Sequence, residues 1–380
     1  MCPARISEEL LQYEFPPGTK EELNYADLEA LDISKLDDPN GKDELASQVL
    51  RFIDKNGTVE STISSQGWEL NKRPISGFFY VTGHGLSDDR IRRQYALAKA
   101  IFDLPLEEKL KYISDTAKGD FRGYKPQSTG DLATRDNDER YNIPKFTPEH
   151  ERPHPQLVLD QLEEIKTFSL HIHNNILLPL LRLFGHVLEV DEDYFVNRHR
   201  YDAEGLEYLR YMQYFPRTEE EDAKVQNIWA RGHTDYNTLT FLFHQPVAGL
   251  QVQTRDGWKY VHSPRDAIIV NVADALEFLS GGYLKSTVHR VVRPPADQAD
   301  KPRLSLIYFA RPEANVMLKP VRSPLLERLG LQDPGVDFPE DVTAEEWAKA
   351  RIAKDHRFRV GVVNSRETEI VPGVAEKFYD

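Results

Sequence analysis

A single cysteine in 380 residues excludes an internal disulfide framework and any cluster of thiolate metal ligands. No run approaches the ~18 apolar residues that a membrane-spanning helix requires. The first residues, MCPARISEELLQYEF, lack the apolar stretch of a secretory signal. Basic charge is also short: 48 Lys and Arg stand against 62 Asp and Glu, a net charge of −14, with no Lys/Arg stripe. Such a chain lacks the footprint that displaces counterions from nucleic acid. Its acidic surplus sits in solvated stretches such as Thr218–Asp222 (TEEED). There is no internal repeat and no low-complexity tract. These absences lead to the expectation of a cytoplasmic protein with a small-molecule partner, no nucleic acid and no membrane. Oligomeric state stays open.

What is present divides by pattern. Apolar residues at Leu45, Val49, Leu50 and Ile53 predict a helix over Asp43–Asp54. Gly77–Thr82 (GFFYVT) predicts a short strand ending at Gly83-His84-Gly85. Ser87 then caps a helix to about Phe102, and Pro105 opens another through Lys111. Residues 114–140 read as loop. A long helical pattern follows from Pro155 to Leu188, with Pro179 expected to kink or break it. Beyond residue 206 the pattern changes to short strands. They are Leu206–Phe215, Thr238–Phe243, Leu250–Gln253, Lys259–His262, Ala267–Val272, Thr287–Val292 and Arg303–Ala310. Two helical segments return at Pro324–Leu329 and Thr343–Lys354. The expected class is α+β, with a jelly-roll core (a double-stranded β-helix), a mainly helical N-terminal region and C-terminal helices. The expected division is 1–200, 201–315 and 316–380.

Chemistry concentrates in the strand-rich part. In Arg231-Gly232-His233-Thr234-Asp235, residues two apart on a strand share a face, so His233 and Asp235 can converge. His289, in STVHRVV, lies several strands further on. Two histidines and one carboxylate match the facial triad of non-haem Fe(II) sites, which leaves coordination positions open. Arg303-Leu304-Ser305 on the last strand can present a guanidinium fork and a hydroxyl together, a pair suited to a carboxylate. The apolar neighbours Leu304, Leu306 and Ile307 place Arg303 in an interior, where an unpaired charge is costly.

The order HxD, distant His, RxS resembles the Fe(II)/2-oxoglutarate-dependent dioxygenases of the isopenicillin N synthase-like group. Gly77–Gly85 (GFFYVTGHG), Leu209–Pro216 (LRYMQYFP), Gly249–Gln253 (GLQVQ) and Asn271–Asp274 (NVAD) fall in that family's order. The similarity runs from about residue 27 to 315. It implies a catalytic iron on His233, Asp235 and His289 and the distal carboxylate of 2-oxoglutarate on Arg303 and Ser305. It further implies O2 as co-substrate, help from ascorbate, and oxidation of a C–H bond of a small organic molecule with release of succinate and CO2. Hydroxylation, desaturation and ring formation are all open, and specialised metabolism is the expected setting. Phe309 and Arg311 match positions that line the substrate pocket in several plant members. Two departures stand out: the family's NYYP reads Gln213-Tyr214-Phe215-Pro216, and Ala273 replaces the usual Gly before Asp274.

Other candidates are weaker. Arg122 and Tyr124, in a loop that could cover the barrel mouth, and Phe241 join Phe309 and Arg311 as substrate contacts. His84, His171 and His173 read as structural, and His244 as a strand-end residue near the mouth. Asp274 reads as a helix cap. Two other activities fit the same motifs. One is an isopenicillin N synthase-like oxidase whose RxS holds the substrate and which needs no 2-oxoglutarate. The other is a metal-binding jelly roll without catalysis.

Overall fold

The computed structural model describes residues 13–55, 77–116, 119–128, 132, 137–333, 341–359, 369–371 and 374–375. Cys2 and parts of the expected mouth loop and C-terminal tail lie outside them. The strands of the two main sheets are β1 (Ala30–Asp32), β2 (Phe78–Thr82), β3 (Gly123–Lys125), β4 (Asp138–Pro144), β5 (Tyr208–Tyr214), β6 (Ile228–His233), β7 (Leu239–Leu242), β8 (Leu250–Thr254), β9 (Gly257–Tyr260), β10 (Ile268–Val272), β11 (His289–Val292) and β12 (Arg303–Ala310). Among the described residues, one sheet has the order β1-β2-β10-β7-β12-β5-β4-β3 and faces a second of order β6-β11-β8-β9. That is the jelly-roll sandwich expected from the spacing of the strands. The large sheet crosses the expected boundary at residue 200, because β1 to β4 come from before it. β6 was also absent from the strand pattern. Its sequence, IWARGH, alternates Trp229 and Arg231 with small residues, which gives a weak period-two signal.

The two faces of the large sheet follow from register. β5 and β12 pair Arg303 with Tyr214, Ser305 with Met212, Ile307 with Arg210 and Phe309 with Tyr208. β7 sets Thr240 opposite Phe309, and β10 sets Asn271 opposite Thr240. Directly opposed residues share a face, so all of these point toward the second sheet. The alternate residues Leu304, Leu306, Tyr308, Phe241, Val270 and Tyr211 point the other way, into the main core.

Helices cover that outer face. They are α1 (Pro39–Lys55), α2 (Asp88–Phe102), α3 (Leu106–Lys109), α4 (Gln156–Asp160), α5 (Leu162–Ile172) and α6 (Leu178–Val187). Ser87 caps α2 by accepting from the Arg90 amide, as its sequence predicts. The backbone stays helical through Pro179, which lies in the first turn of α6. A π-helical turn, His173–Leu177, precedes α6, and the Leu178 amide reaches back to the His173 carbonyl. The widened turn makes room for a proline that has no N–H and would crowd a preceding carbonyl. Short α7 (Glu219–Lys224), α8 (Asp274–Leu279) and α9 (Pro324–Arg328) lead to α10 (Ala344–Arg359). α10 lies against the loop that follows β6, where Arg351 donates to the Thr234 carbonyl. No described helix is long and apolar enough to cross a membrane.

Candidate metal and cosubstrate site

His233 ends β6 and His289 begins β11, and the two are register partners across the small sheet. Their rings lie 4.5 Å apart between centroids. Asp235 does not continue β6. It sits in the turn after the strand, so convergence comes from the turn rather than from the strand pleat. That turn is pinned by the Asp274 amide, which donates to the Asp235 carbonyl at 2.9 Å.

Hydrogen bonds aim each donor. The Nδ1–H of His233 donates to the Arg231 carbonyl at 2.8 Å, and that of His289 to the Thr287 carbonyl at 3.1 Å. Both imidazoles therefore present Nε2 with its lone pair free. Those nitrogens lie 3.7 and 3.9 Å from Oδ1 of Asp235. Its other oxygen, Oδ2, accepts from the Thr240 hydroxyl at 2.7 Å and the Asn271 amide at 3.0 Å. The three ligand atoms fall within 4.8 Å of one another. One oxygen and two nitrogens, with each side chain's other polar atom already engaged, suit a divalent iron with free coordination positions.

Electrostatics agree with that use. Burial pushes the Asp235 carboxyl up, but His289, His233 and the bonds from Thr240 and Asn271 outweigh it and leave it at about 2. Burial, aided by His233, lowers His289 to about 4. Near neutral pH the pair is a carboxylate and a neutral imidazole, the forms that bind metal.

Arg303 and Ser305 share the inner face of β12. The guanidinium donates to the Val247 carbonyl at 3.1 Å and to the Ser305 hydroxyl at 3.0 Å. Arg303 is 4% exposed and has no carboxylate partner among the described residues. Burial works to lower its pKa, against Tyr214 and Tyr95. Tyr214, opposite it on β5, places its ring 6.0 Å away.

Several sequence candidates sit elsewhere. Phe241 neighbours Thr240 on β7, and since Thr240 faces Asp235, Phe241 faces the main core beside Tyr308. Tyr124 pairs with Tyr141, which pairs with Tyr211, so it too lies on the outer face. Its hydroxyl donates to Glu139, which also pairs with buried Lys109. Arg122 is tied to Asp120 at 2.7 Å. Phe309 stacks on Tyr208 on the inner face, and Arg311 lies just past the end of β12. His171 bonds the His84 carbonyl, His173 pairs with Glu207, and His244 bonds the Ser263 carbonyl. Asp274 does not cap α8 through its side chain; Arg351 of α10 takes its carboxylate at 2.8 Å. Arg351 also donates to the Thr234 carbonyl, inside the His-x-Asp turn. No sequence motif pointed to Arg351, because α10 meets that turn only through tertiary packing.

The 2OG-Fe(II) oxygenase superfamily matches residues 196–312. The N-terminal region described as non-haem dioxygenase in morphine synthesis matches residues 75–162. A 2-oxoglutarate-dependent dioxygenase, frbH, of Dothideomycetidae sp. is 33% identical across 72% of this chain and 84% of its own length. The chain belongs to the 2-oxoglutarate- and Fe(II)-dependent oxygenases. This oxygenase is also 27% identical to leucoanthocyanidin dioxygenase of Malus domestica, over 75% of the chain and 79% of that protein. Its fold matches that of a full-length Neurospora crassa protein crystallised in complex with alpha-KG and 5-formyluracil. The TM-score is 0.69 at 22% identity, over 88% of this chain and 99% of that one. The oxygenase is thus an oxidoreductase that uses Fe(II), 2-oxoglutarate and O2, and its expected family is the one found.

Proposed function

We propose that His233, Asp235 and His289 hold the catalytic Fe(II), that Arg303 and Ser305 hold the distal carboxylate of 2-oxoglutarate, and that the substrate is a small organic molecule oxidised at a C–H bond. When bound, the iron and its 2-oxo acid supply the oxidation, with succinate and CO2 as products. The protein's share is positioning. His233 and His289 offer Nε2 because their Nδ1 protons are held by backbone carbonyls. Thr240 and Asn271 fix the Asp235 carboxylate with one oxygen turned toward the histidines. Arg303 supplies a planar fork for a carboxylate, and Ser305 orients it.

The observation that carries this reading is Arg303: a buried guanidinium with no carboxylate partner among the described residues, on the sheet face that also bears Thr240 and Asn271. A role in specialised metabolism is supported by the likeness to leucoanthocyanidin dioxygenase.

The test is spectroscopic. Under nitrogen, with Fe(II), ascorbate and 2-oxoglutarate, the weak visible charge-transfer band of a 2-oxo acid chelated to ferrous iron is expected. It should vanish in His289→Ala and weaken strongly in Arg303→Ala. Iron binding without any such band would overturn the cosubstrate assignment and favour an oxidase whose Arg303 holds its substrate.

A further inference from the structure

The inner face of β5 and β12 holds more positive charge than the cosubstrate uses. Moving away from Arg303, the same face carries Arg210, Phe309 and Tyr208, and the chain then places Arg311 just past β12. Arg210 is half-buried and lines a crevice with Phe121, Asn142, Tyr236 and Ile352. It donates to the Asn142 side-chain oxygen at 2.7 Å and to the Tyr208 hydroxyl at 3.1 Å, both neutral groups. Arg311 is 5% exposed. Its guanidinium carbon lies 4.3 Å from the Tyr236 ring centre and 5.4 Å from those of Phe121 and Tyr208. Its Nε and one terminal nitrogen meet no hydrogen-bond acceptor.

The nearby acids are already engaged. Asp138 pairs with Arg140, Asp120 with Arg122 and Asp274 with Arg351. Glu345 lines the small recess beside Arg311, but its carboxylate pairs with Lys349 at 2.8 Å. Neither Arg210 nor Arg311 has a carboxylate partner among the described residues. Removing guanidinium groups from water without a counter-ion is costly, and stacking on rings offsets only part of it. Tyr236, which touches both crevices, follows the metal-ligand candidate Asp235 directly, so the two arginines border the place where a substrate would meet the metal.

We propose that the substrate is a flat, aromatic-bodied carboxylate, with its anionic end on Arg311 and Arg210 and its body against Tyr208, Phe309 and Tyr236. This rests on the oxygenase reading of the His-Asp-His site. The two guanidinium forks match planar carboxylate geometry, and the stacked rings supply a matching apolar wall. Arg210 and Arg311 are then specificity-determining residues, distinct from the cosubstrate clamp at Arg303.

The experiment uses the full-length protein with Fe(II) and 2-oxoglutarate under nitrogen. One- and two-ring aromatic acids (phenylacetate, cinnamate, 2-naphthoate) and their primary amides are titrated, and the perturbation of the charge-transfer band is followed. At least one acid is expected to bind about tenfold or more tighter than its amide, with affinity falling as salt rises. In Arg311→Gln and Arg210→Gln that preference should drop toward one, while the band before ligand addition persists. Arg311→Lys should restore it in part. If Arg311→Gln does not fold, the half-buried Arg210→Gln carries the comparison. Equal binding of acids and amides, or no perturbation by any acid, overturns the proposal while leaving the cosubstrate reading intact. Absence of the band in the unmodified protein overturns both.

Discussion

Thr240 and Asn271 decide how Asp235 is presented, since both donate to Oδ2 and leave Oδ1 facing the histidines. Groups that hold a ligand in this way typically contribute about 10–100-fold in metal affinity. Thr240→Val keeps the shape and removes the donor, so it should weaken Fe(II) binding by roughly that factor. Competition titration with a ferrous chelator checks it, and an unchanged affinity would remove Thr240 from the site. Proton competition has a defined window as well. With His289 at about 4 and Asp235 at about 2, these two proposed ligands stay deprotonated from neutral pH down to about pH 5. Their contribution to iron affinity should hold across that range and fall as pH drops through 4, as metal titrations at stepped pH would show.

Elements bring these residues together, and here the sequence was only partly informative. The HxD word and the distant histidine were legible because ligand chemistry restricts residue type. The turn that delivers Asp235 was not, because it depends on the Asp274 amide from a different part of the chain. The sequence suggests Phe241 and Tyr124 as pocket residues, Tyr124 from a loop that could cover the barrel mouth, while strand register, which a single strand does not reveal, puts both in the core. Arg210 left a usable signal: a lone cation in the apolar strand YLRYMQY, on the same alternation as Tyr208 and Met212. Arg351 left none. Its bonds to Asp274 and the Thr234 carbonyl tie α10 to the loop that carries Asp235. Arg351→Ala removes the partner of buried Asp274 and the donor to the Thr234 carbonyl and should cost about 3 kcal/mol, measurable by urea denaturation. At the entry to β2, a Cβ on Gly77 would lie 2.2 Å from the Lys285 carbonyl oxygen and 2.5 Å from the Thr287 hydroxyl. Gly77→Ala must therefore displace the segment whose carbonyl holds His289, and weaker iron binding together with a lower Tm is the expected pair of effects.

At the scale of the molecule, buried histidines set the response to acid. Burial lowers His154, His199 and His289 to about 4, and it also lowers His84, His150 and His244. Each binds a proton more weakly in the folded chain than in the unfolded one, where a histidine titrates near pH 6.5. Stability from this group is present above pH 6.5 and is lost as pH falls toward 4. Asp274, raised by burial to about 7 against Arg351, and Asp222, also raised by burial, act in the opposite sense, but they are two groups against six histidines. The metal-free protein should thus melt progressively lower from pH 7 to pH 4.5, and a flat profile would contradict the burial of these rings.

β12 carries charge on one face and Leu304, Leu306 and Tyr308 on the other. A slip of one residue against β5 would drive Arg303 into the apolar core and turn Leu304 toward the second sheet. Misaligned pairings are then far less stable than the native one, so Arg303, the proposed cosubstrate clamp, also acts as a proofreading device during folding.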